Sequence, residues 1–528
     1  MQNKRFSLSL LAVVATATLV ACGGGGGGDG GPPAAVTVGD AVAITTTGRV
    51  ISFNRATPGT LVSNLPVRGL ASGERLIGID VRPATNTIYA VTSLGGIFTL
   101  DPSTGTLTPA ALLSVALQGT SFGVDFNPMA DRLRIVSNTG QNLRVDVTTG
   151  VATVDGTVNG APASISASAY TNSFDGTTST QLYNLDAAAG TLFLQDPPNN
   201  GTQASPVPLG VTFDAANGFD IDARNNRGYA AVTVGGANRL YTVPLTGTAG
   251  ATLVGAIGIT DAVSGLALVQ PATPRAYALT DDGRLAAFSP SAPNTITANV
   301  AITGLAAGET VLGIDFRPAN ARLYALTSTG RLLTVDPDTG AATAPVTLAA
   351  DATDATLPYA GLTGASFTVD FNPVADRLRV ISNTGQNLRI NVDTGATTTD
   401  GVINRGVAPT VLAGAYTNSF AGSTATSLYD VEGNSNVLAL QNPPNDGTLV
   451  DVGPIGFALG GRAAVDIAGG ANGLVLAALR NGSTGPFSLY TVSLTTGAAT
   501  PYRNTGAANL SFIGGAGGPA VKDVAIRF

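Results

Sequence analysis

The sequence predicts an all-β fold, a β-propeller of ten four-stranded blade-like units, and three observations carry that expectation. The first is composition. Across 528 residues the apolar side is Ala, Val, Leu and Ile mixed with abundant Thr, which suits strands. Residues that clothe exposed helix faces are scarce: only three Glu (Glu74, Glu309, Glu432) and two Lys (Lys4, Lys522) occur. The second is a long internal repeat. The stretch 124–150, VDFNPMADRLRIVSNTGQNLRVDVTTG, returns at 369–395 as VDFNPVADRLRVISNTGQNLRINVDTG, with only six positions changed. The third is a shorter unit running through both halves: strand, tight turn, strand, turn, strand, turn, strand. A period of roughly 40–50 residues holding four strands is that of a propeller blade.

The N-terminus comes first and reads as an address. Residues 1–21 have Lys4 and Arg5, an apolar run from Phe6 to Val20, then small residues, as secretory signals do. The run is too short and too rich in Ala and Thr for a membrane-spanning helix. The sole cysteine, Cys22, follows Leu19-Val20-Ala21. That LVAC resembles the lipobox of bacterial lipoproteins, which implies cleavage before Cys22 and lipid on its thiol. Several acyl chains there anchor a protein stably, whereas one is marginal. Residues 22–35 then form a lipidated, Gly-rich linker, and Gly23 after the cysteine points to the outer membrane of a two-membrane host.

From residue 36 onward the units follow one another. The first half gives an incomplete unit at 41–67, then 74–110, 121–158, 165–209 and 218–257. The second half gives 263–302, 311–347, 367–402, 411–453 and 465–501. The clearest, 311–347, reads VLGIDFRP, RLYALTST, RLLTVDP and AATAPVTL, with DPDTG among its turns. Gly supplies positive φ, Pro the second turn position, and Asp a bond to the amides that follow. The first unit lacks one strand and the chain ends with a spare one, VKDVAIRF, as ring closure requires. VSGLALV (263–269) either closes a first ring or opens the sixth unit. Two arrangements satisfy this: tandem five-bladed propellers (36–270 and 271–528) or one ten-bladed ring. Duplication favours the tandem rings. A two-sheet sandwich repeat is the remaining fold.

The motifs GIDxRP, VDFNPxADRLRxxSNTGQNLR, AYTNSF and LQxPPNxGT, each present in both halves, resemble an uncharacterised bacterial family, domain-of-unknown-function family 4394. Two copies cover nearly all of the chain beyond the linker. The resemblance implies an exported bacterial protein and brings no activity with it.

Four constellations carry the candidate chemistry. Inner-strand aspartates recur as Asp80, Asp125, Asp220, Asp315, Asp370, Asp466 and Asp523. A ring of them could hold Ca²⁺, but repetition in unit after unit favours a structural task, each carboxyl accepting from a neighbouring unit's amides. The SNTGQN hairpins are the candidate ligand site: Arg134, Asn138, Gln141, Asn142 and Arg144, with counterparts Arg379, Asn383, Gln386, Asn387 and Arg389. Two Arg forks beside a Gly turn suit a carboxylate or a sulfated or phosphorylated sugar, or else they pair with Asp131 and Asp376. The loops 195–201 and 441–447, each with paired prolines, are stiff surface connectors. Tyr170 and Tyr416 in AYTNSF read as core.

Absences narrow the function. A net charge of −7 leaves no basic face for nucleic acid. With no His, neither a Ser-His-Asp triad nor a His-ligated metal is available. Carboxylate-only chemistry survives, as in a glycoside hydrolase or lyase; Glu74 and Glu309, near Asp80 and Asp315, are its candidates. The expectation is a lipid-anchored cell-envelope protein without cofactor, serving as a rigid scaffold for a glycan or an envelope protein.

Overall fold

Turn chemistry fixes where the strands end. Asp336 in DPDTG accepts the amides of Asp338 (2.9 Å) and Thr339 (3.0 Å), and Gly340 follows with φ 75°. Asp101 and Asp146 hold equivalent turns in other units. The computed structural model describes residues 34–528, apart from 161–163, 215–216, 270–273, 407 and 503–510. The expected signal segment 1–21, Cys22, and the linker as far as residue 33 lie outside the described residues.

Among the described residues the hairpins assemble into ten sheets, nine of four antiparallel strands and one that gains a two-residue fifth, Ala349–Ala350, paired parallel. In the first half the innermost strands are Val263–Leu268, Leu76–Arg82, Phe122–Asn127, Ile165–Tyr170 and Asn217–Asp222. In the second they are Val521–Arg527, Val311–Arg317, Phe367–Asn372, Val411–Tyr416 and Leu459–Ala468. Each set follows a cyclic order: every innermost strand lies beside the next, and the fifth lies beside the first. VSGLALV does not open the sixth unit. It pairs antiparallel with Ala41–Thr45, with Ala43 opposite Leu266, and so completes the first sheet. The spare C-terminal strand pairs with Arg275–Thr280, placing Ala278 opposite Val524. Each half therefore supplies its own missing strand.

Apolar side chains from facing sheets form the cores between them. Val42 and Ile44 of the first sheet pack with Leu76, Ile79 and Ile88 of the second. Ile77 and Val91 of the second pack with Phe126, Leu133 and Ile135 of the third. The series continues to Ala231 and Leu240 of the fifth, which return to Ala41 and Ile51 of the first. Burying a side chain of this size contributes about 1.5–3 kcal/mol, so the sheet-to-sheet faces hold most of the stability. Close approach at the centre needs an absent side chain. A Cβ on Gly123 would fall 2.0 Å from Ser168 Oγ of the neighbouring innermost strand.

The two sets meet through loops. Phe174 and Ala223 of the first join a core of the second, and the Phe174 ring stands edge-on to Phe528 at 5.0 Å. The Tyr502 hydroxyl donates to the Gly176 carbonyl, and Thr177 Oγ1 to that of Gly473.

Candidate functional site

The duplicated hairpin is built around an arginine that the strand register carries inward. Arg134 lies opposite Asp125 on one side and Arg144 on the other, and its side chain is 1% exposed. A guanidinium at that depth must have its donors satisfied. Nη1 donates to Asn142 Oδ1 (2.8 Å) and Asp155 Oδ2 (2.7 Å), Nη2 to Asn199 Oδ1 (2.7 Å), and Nε to the Tyr170 hydroxyl (3.2 Å). Arg144 closes on the same carboxylate from outside, Nε to Oδ2 at 2.6 Å and Nη2 to Oδ1 at 2.9 Å. Asn142 Nδ2 donates to the carbonyls of Gly156 and Pro198. Third and fourth sheets are thereby clamped together through the loop that contains Pro198–Asn200.

The second half repeats this bond for bond. Arg379 reaches Asn387 (2.8 Å), Asp400 (2.6 Å), Asn445 (2.8 Å) and Tyr416 (3.1 Å), while Arg389 grips Asp400. The remaining candidates hold the preceding loop. Asn138 Oδ1 accepts Thr120 N and Gln141 Oε1 accepts Gln118 N, matched by Asn383 with Ala365 N and Gln386 with Thr363 N. Every predicted hairpin residue thus has a partner within the chain. Asp131 and Asp376 are not the partners of these arginines. They face the preceding sheet, where Arg82 and Arg317 bind them in two-pronged pairs. The true partners, Asp155 and Asp400, had a signal: each precedes a Gly, and they stand at the same 245-residue offset as the hairpins (400 − 155).

The central aspartates bond between units. Asp80 accepts Phe126 N (2.7 Å), Asp125 accepts Tyr170 N (3.0 Å) and Asp220 accepts Leu268 N (2.6 Å), each from the next innermost strand. In the second set Asp315, Asp370, Asp466 and Asp523 accept Phe371, Tyr416, Ile526 and Ile314 amides in the same sense. One oxygen each from Asp80, Asp125 and Asp220 lie within 4.8 Å of one another, as do those from Asp315, Asp370 and Asp466. Burial pushes Asp80 and Asp125 well above the usual carboxylate range, facing carboxyls add to this, and Asp220 rises to about 7. These are the residues that could hold a hard cation, but Ca²⁺ takes six to eight oxygens. Three facing oxygens supply fewer.

Glu309 is no solvated loop residue. It is buried, accepts Ala306 N (2.8 Å) and pairs with Arg331, whose guanidinium drives its carboxyl far below the usual range. Its twin Glu74 accepts Ala71 N in the same local loop. A carboxylate held ionised by a fork of donors is poorly suited to deliver a proton as a glycosidase acid does. Between the two sets lies a cleft of about 440 Å³, where Arg55, Asp222, Arg224 and Tyr229 face Arg317 and Arg527. Asp222 takes Arg55 at 2.8 Å and Arg224 at 2.9 Å; against the cost of its burial, these guanidiniums hold it below the usual carboxylate range.

One pair of equivalent positions differs sharply between halves. Asn184 accepts from Ser168 Oγ (2.7 Å) and donates to Gln195 Oε1 (2.6 Å). Its counterpart is Asp430, opposite Gly414, fully buried with both oxygens unpaired, and Gln441 Oε1 is also unpaired. Burial raises Asp430 to about 8, opposed by Arg379. Protonated, it can donate to Gln441 as Asn184 does to Gln195.

A family model described as a domain of unknown function (DUF4394) matches residues 49–267 and again 284–513. No curated protein matches the chain.

Two outcomes are expected. Arg134→Leu should lower the unfolding free energy by roughly 3–5 kcal/mol, measured by urea denaturation, because Asn199 and Tyr170 lose a buried charged donor. Between about pH 4 and pH 8 folded Asp430 keeps a proton that the unfolded chain, titrating near 3.8, releases. Its contribution is complete below pH 4 and is lost as pH rises towards 8, by about 1.4 kcal/mol per unit. Asp430→Asn should therefore gain on wild type steadily across that window in thermal melts; a gap independent of pH would refute the protonated state.

Proposed function

The chain belongs to the DUF4394 family, whose model it matches twice, and we propose that it is a rigid, envelope-anchored binding scaffold made of two five-bladed β-propellers. The cyclic order of the innermost strands supports the propellers. So does closure within each half: a single ten-bladed ring would need Val263–Leu268 to pair with Arg275–Thr280, and instead it pairs with Ala41–Thr45. Joining the last strand of each set to the first removes the exposed edges that an open array would leave.

The observation that carries the scaffold reading is the use made of the repeated polar residues. The hairpin arginines, the central aspartates and Glu309 all tie one segment of the chain to another. Such groups give rigidity, and ligand contact falls to surfaces around them. At the hairpins the side chains of Arg144 and Arg389 still reach solvent, each 36% exposed with Nη1 outside the carboxylate pair, beside the exposed turn residues Thr139 and Thr384. The partner is a glycan or another envelope protein. The anchor is Cys22 in an outer membrane, followed by the Gly-rich segment to residue 35.

Wild type expressed in a two-membrane bacterium should sediment with membranes and incorporate labelled palmitate, whereas Cys22→Ser should do neither; a variant that stays membrane-bound sinks the anchor. For the architecture, residues 36–269 alone should unfold in one cooperative transition, because Val263–Leu268 completes their first sheet. A fragment without a cooperative melt would favour a single interdependent assembly.

A further inference from the structure

The two sets differ at one end of their innermost strands. In the first, Arg75, Leu76, Phe122, Ser166, Asn217 and Ser264 line a cavity of about 290 Å³ at that end. Asn217 is 2% exposed, and its Nδ2 is fixed by Ser166 Oγ (2.9 Å) and the Asp214 carbonyl (2.7 Å), which turns Oδ1 the other way, without a partner. Ser264 Oγ is buried and unpaired beside it. At the rim, Arg75 is exposed, and its guanidinium has no partner among the described residues. Buried polar atoms are nearly always bonded, so two orphans lining one cavity mark a place where something else supplies the bonds.

The second set shows the same place without those features. By register Ser264 corresponds to Lys522, both lying at the irregularity between paired residues. By spacing from Asp220 and Asp466, Asn217 corresponds to Ala463; by spacing from Tyr170 and Tyr416, Ser166 corresponds to Leu412; and Arg75, next to Glu74, corresponds to Thr310, next to Glu309. Lys522 Nζ crosses to the Val311 carbonyl at 2.9 Å, and Arg462 is paired with Asp281 at 2.5 Å nearby. A cation, Lys522, and apolar Leu412 and Ala463 thus stand where the first set has Ser264, Ser166 and Asn217.

We propose that the open end of the first set binds a sugar-sized ligand carrying both hydroxyls and a carboxylate, a uronic acid unit. Asn217 Oδ1 requires a donor, which a sugar hydroxyl provides. Ser264 Oγ takes either role with a second hydroxyl. Arg75 takes the carboxylate in a two-pronged contact. Leu76 and Phe122 supply the apolar wall on which the C–H face of a pyranose lies. The volume sits at the small end of ligand pockets, where one ring fits.

The test is calorimetric titration of the full chain with glucuronate, galacturonate and glucose. A uronate should bind at least tenfold more tightly than glucose. Arg75→Thr should abolish that preference while leaving the melting temperature unchanged, since Arg75 is exposed and unpaired. Ser264→Lys, which installs the residue of the second set, should abolish binding altogether. Absence of uronate binding, or binding unaltered in Arg75→Thr, would overturn the proposal. Should Ser264→Lys fail to fold, Arg75→Thr and Asn217→Ala decide it, alanine being the residue at the equivalent Ala463. Membrane anchoring is read separately by fractionation, so failure here leaves that result standing.

Discussion

The bond on which the two sets depend runs from a central aspartate to the backbone amide of the next innermost strand. Apolar faces between sheets are non-directional and would tolerate sliding. A carboxyl that accepts Phe126 N from Asp80, or Ile526 N from Asp466, fixes both the register and the separation of neighbouring strands. The same contact forces small residues alongside it, as at Gly123. It also brings carboxyls into mutual range, so burial, with repulsion added, raises them above the usual carboxylate range and lowers the charge at the centre of each set.

Outside that centre a second layer of polar bonds ties sheet to sheet. Arg134 alone joins four partners drawn from the third sheet, the fourth sheet and the loop beyond it. Removing any member leaves a buried charge or acceptor unmatched, which accounts for the near-identity of the hairpin in the two halves without any ligand. The identity extends to Asp155 and Asp400, and to Asn199 and Asn445, because the network is incomplete without them.

The halves diverge where the sheet pairing is kept, and this includes the innermost strands, where Gly265 of the first set stands at the position from which Asp523 accepts the Ile314 amide. Asn184 becomes Asp430 and Ser168 becomes Gly414 with the sheet pairing unchanged. At the strand ends Ser264 becomes Lys522, and a polar cavity in one half is crossed by an amine in the other. One architecture thus presents two different surfaces.

The sequence alone determined the strands, the turns and the number of units, because each is set by contacts within a few residues: alternating burial, Asp and Gly at turns, Pro at strand ends. It also determined the duplication, and it read Tyr170 and Tyr416 as core and the aspartates as acceptors of neighbouring amides. Partner choice was decided by tertiary structure. Val263–Leu268 could have closed the first sheet or opened the sixth, since backbone donors and acceptors are the same in every strand and carry no address. Its pairing with Ala41–Thr45, more than two hundred residues away, follows from which apolar faces meet once five sheets close in cyclic order. For the same reason Asp131 looked like a partner for Arg134 by proximity in sequence, while the fold gave it to Arg82 and supplied Asp155 instead.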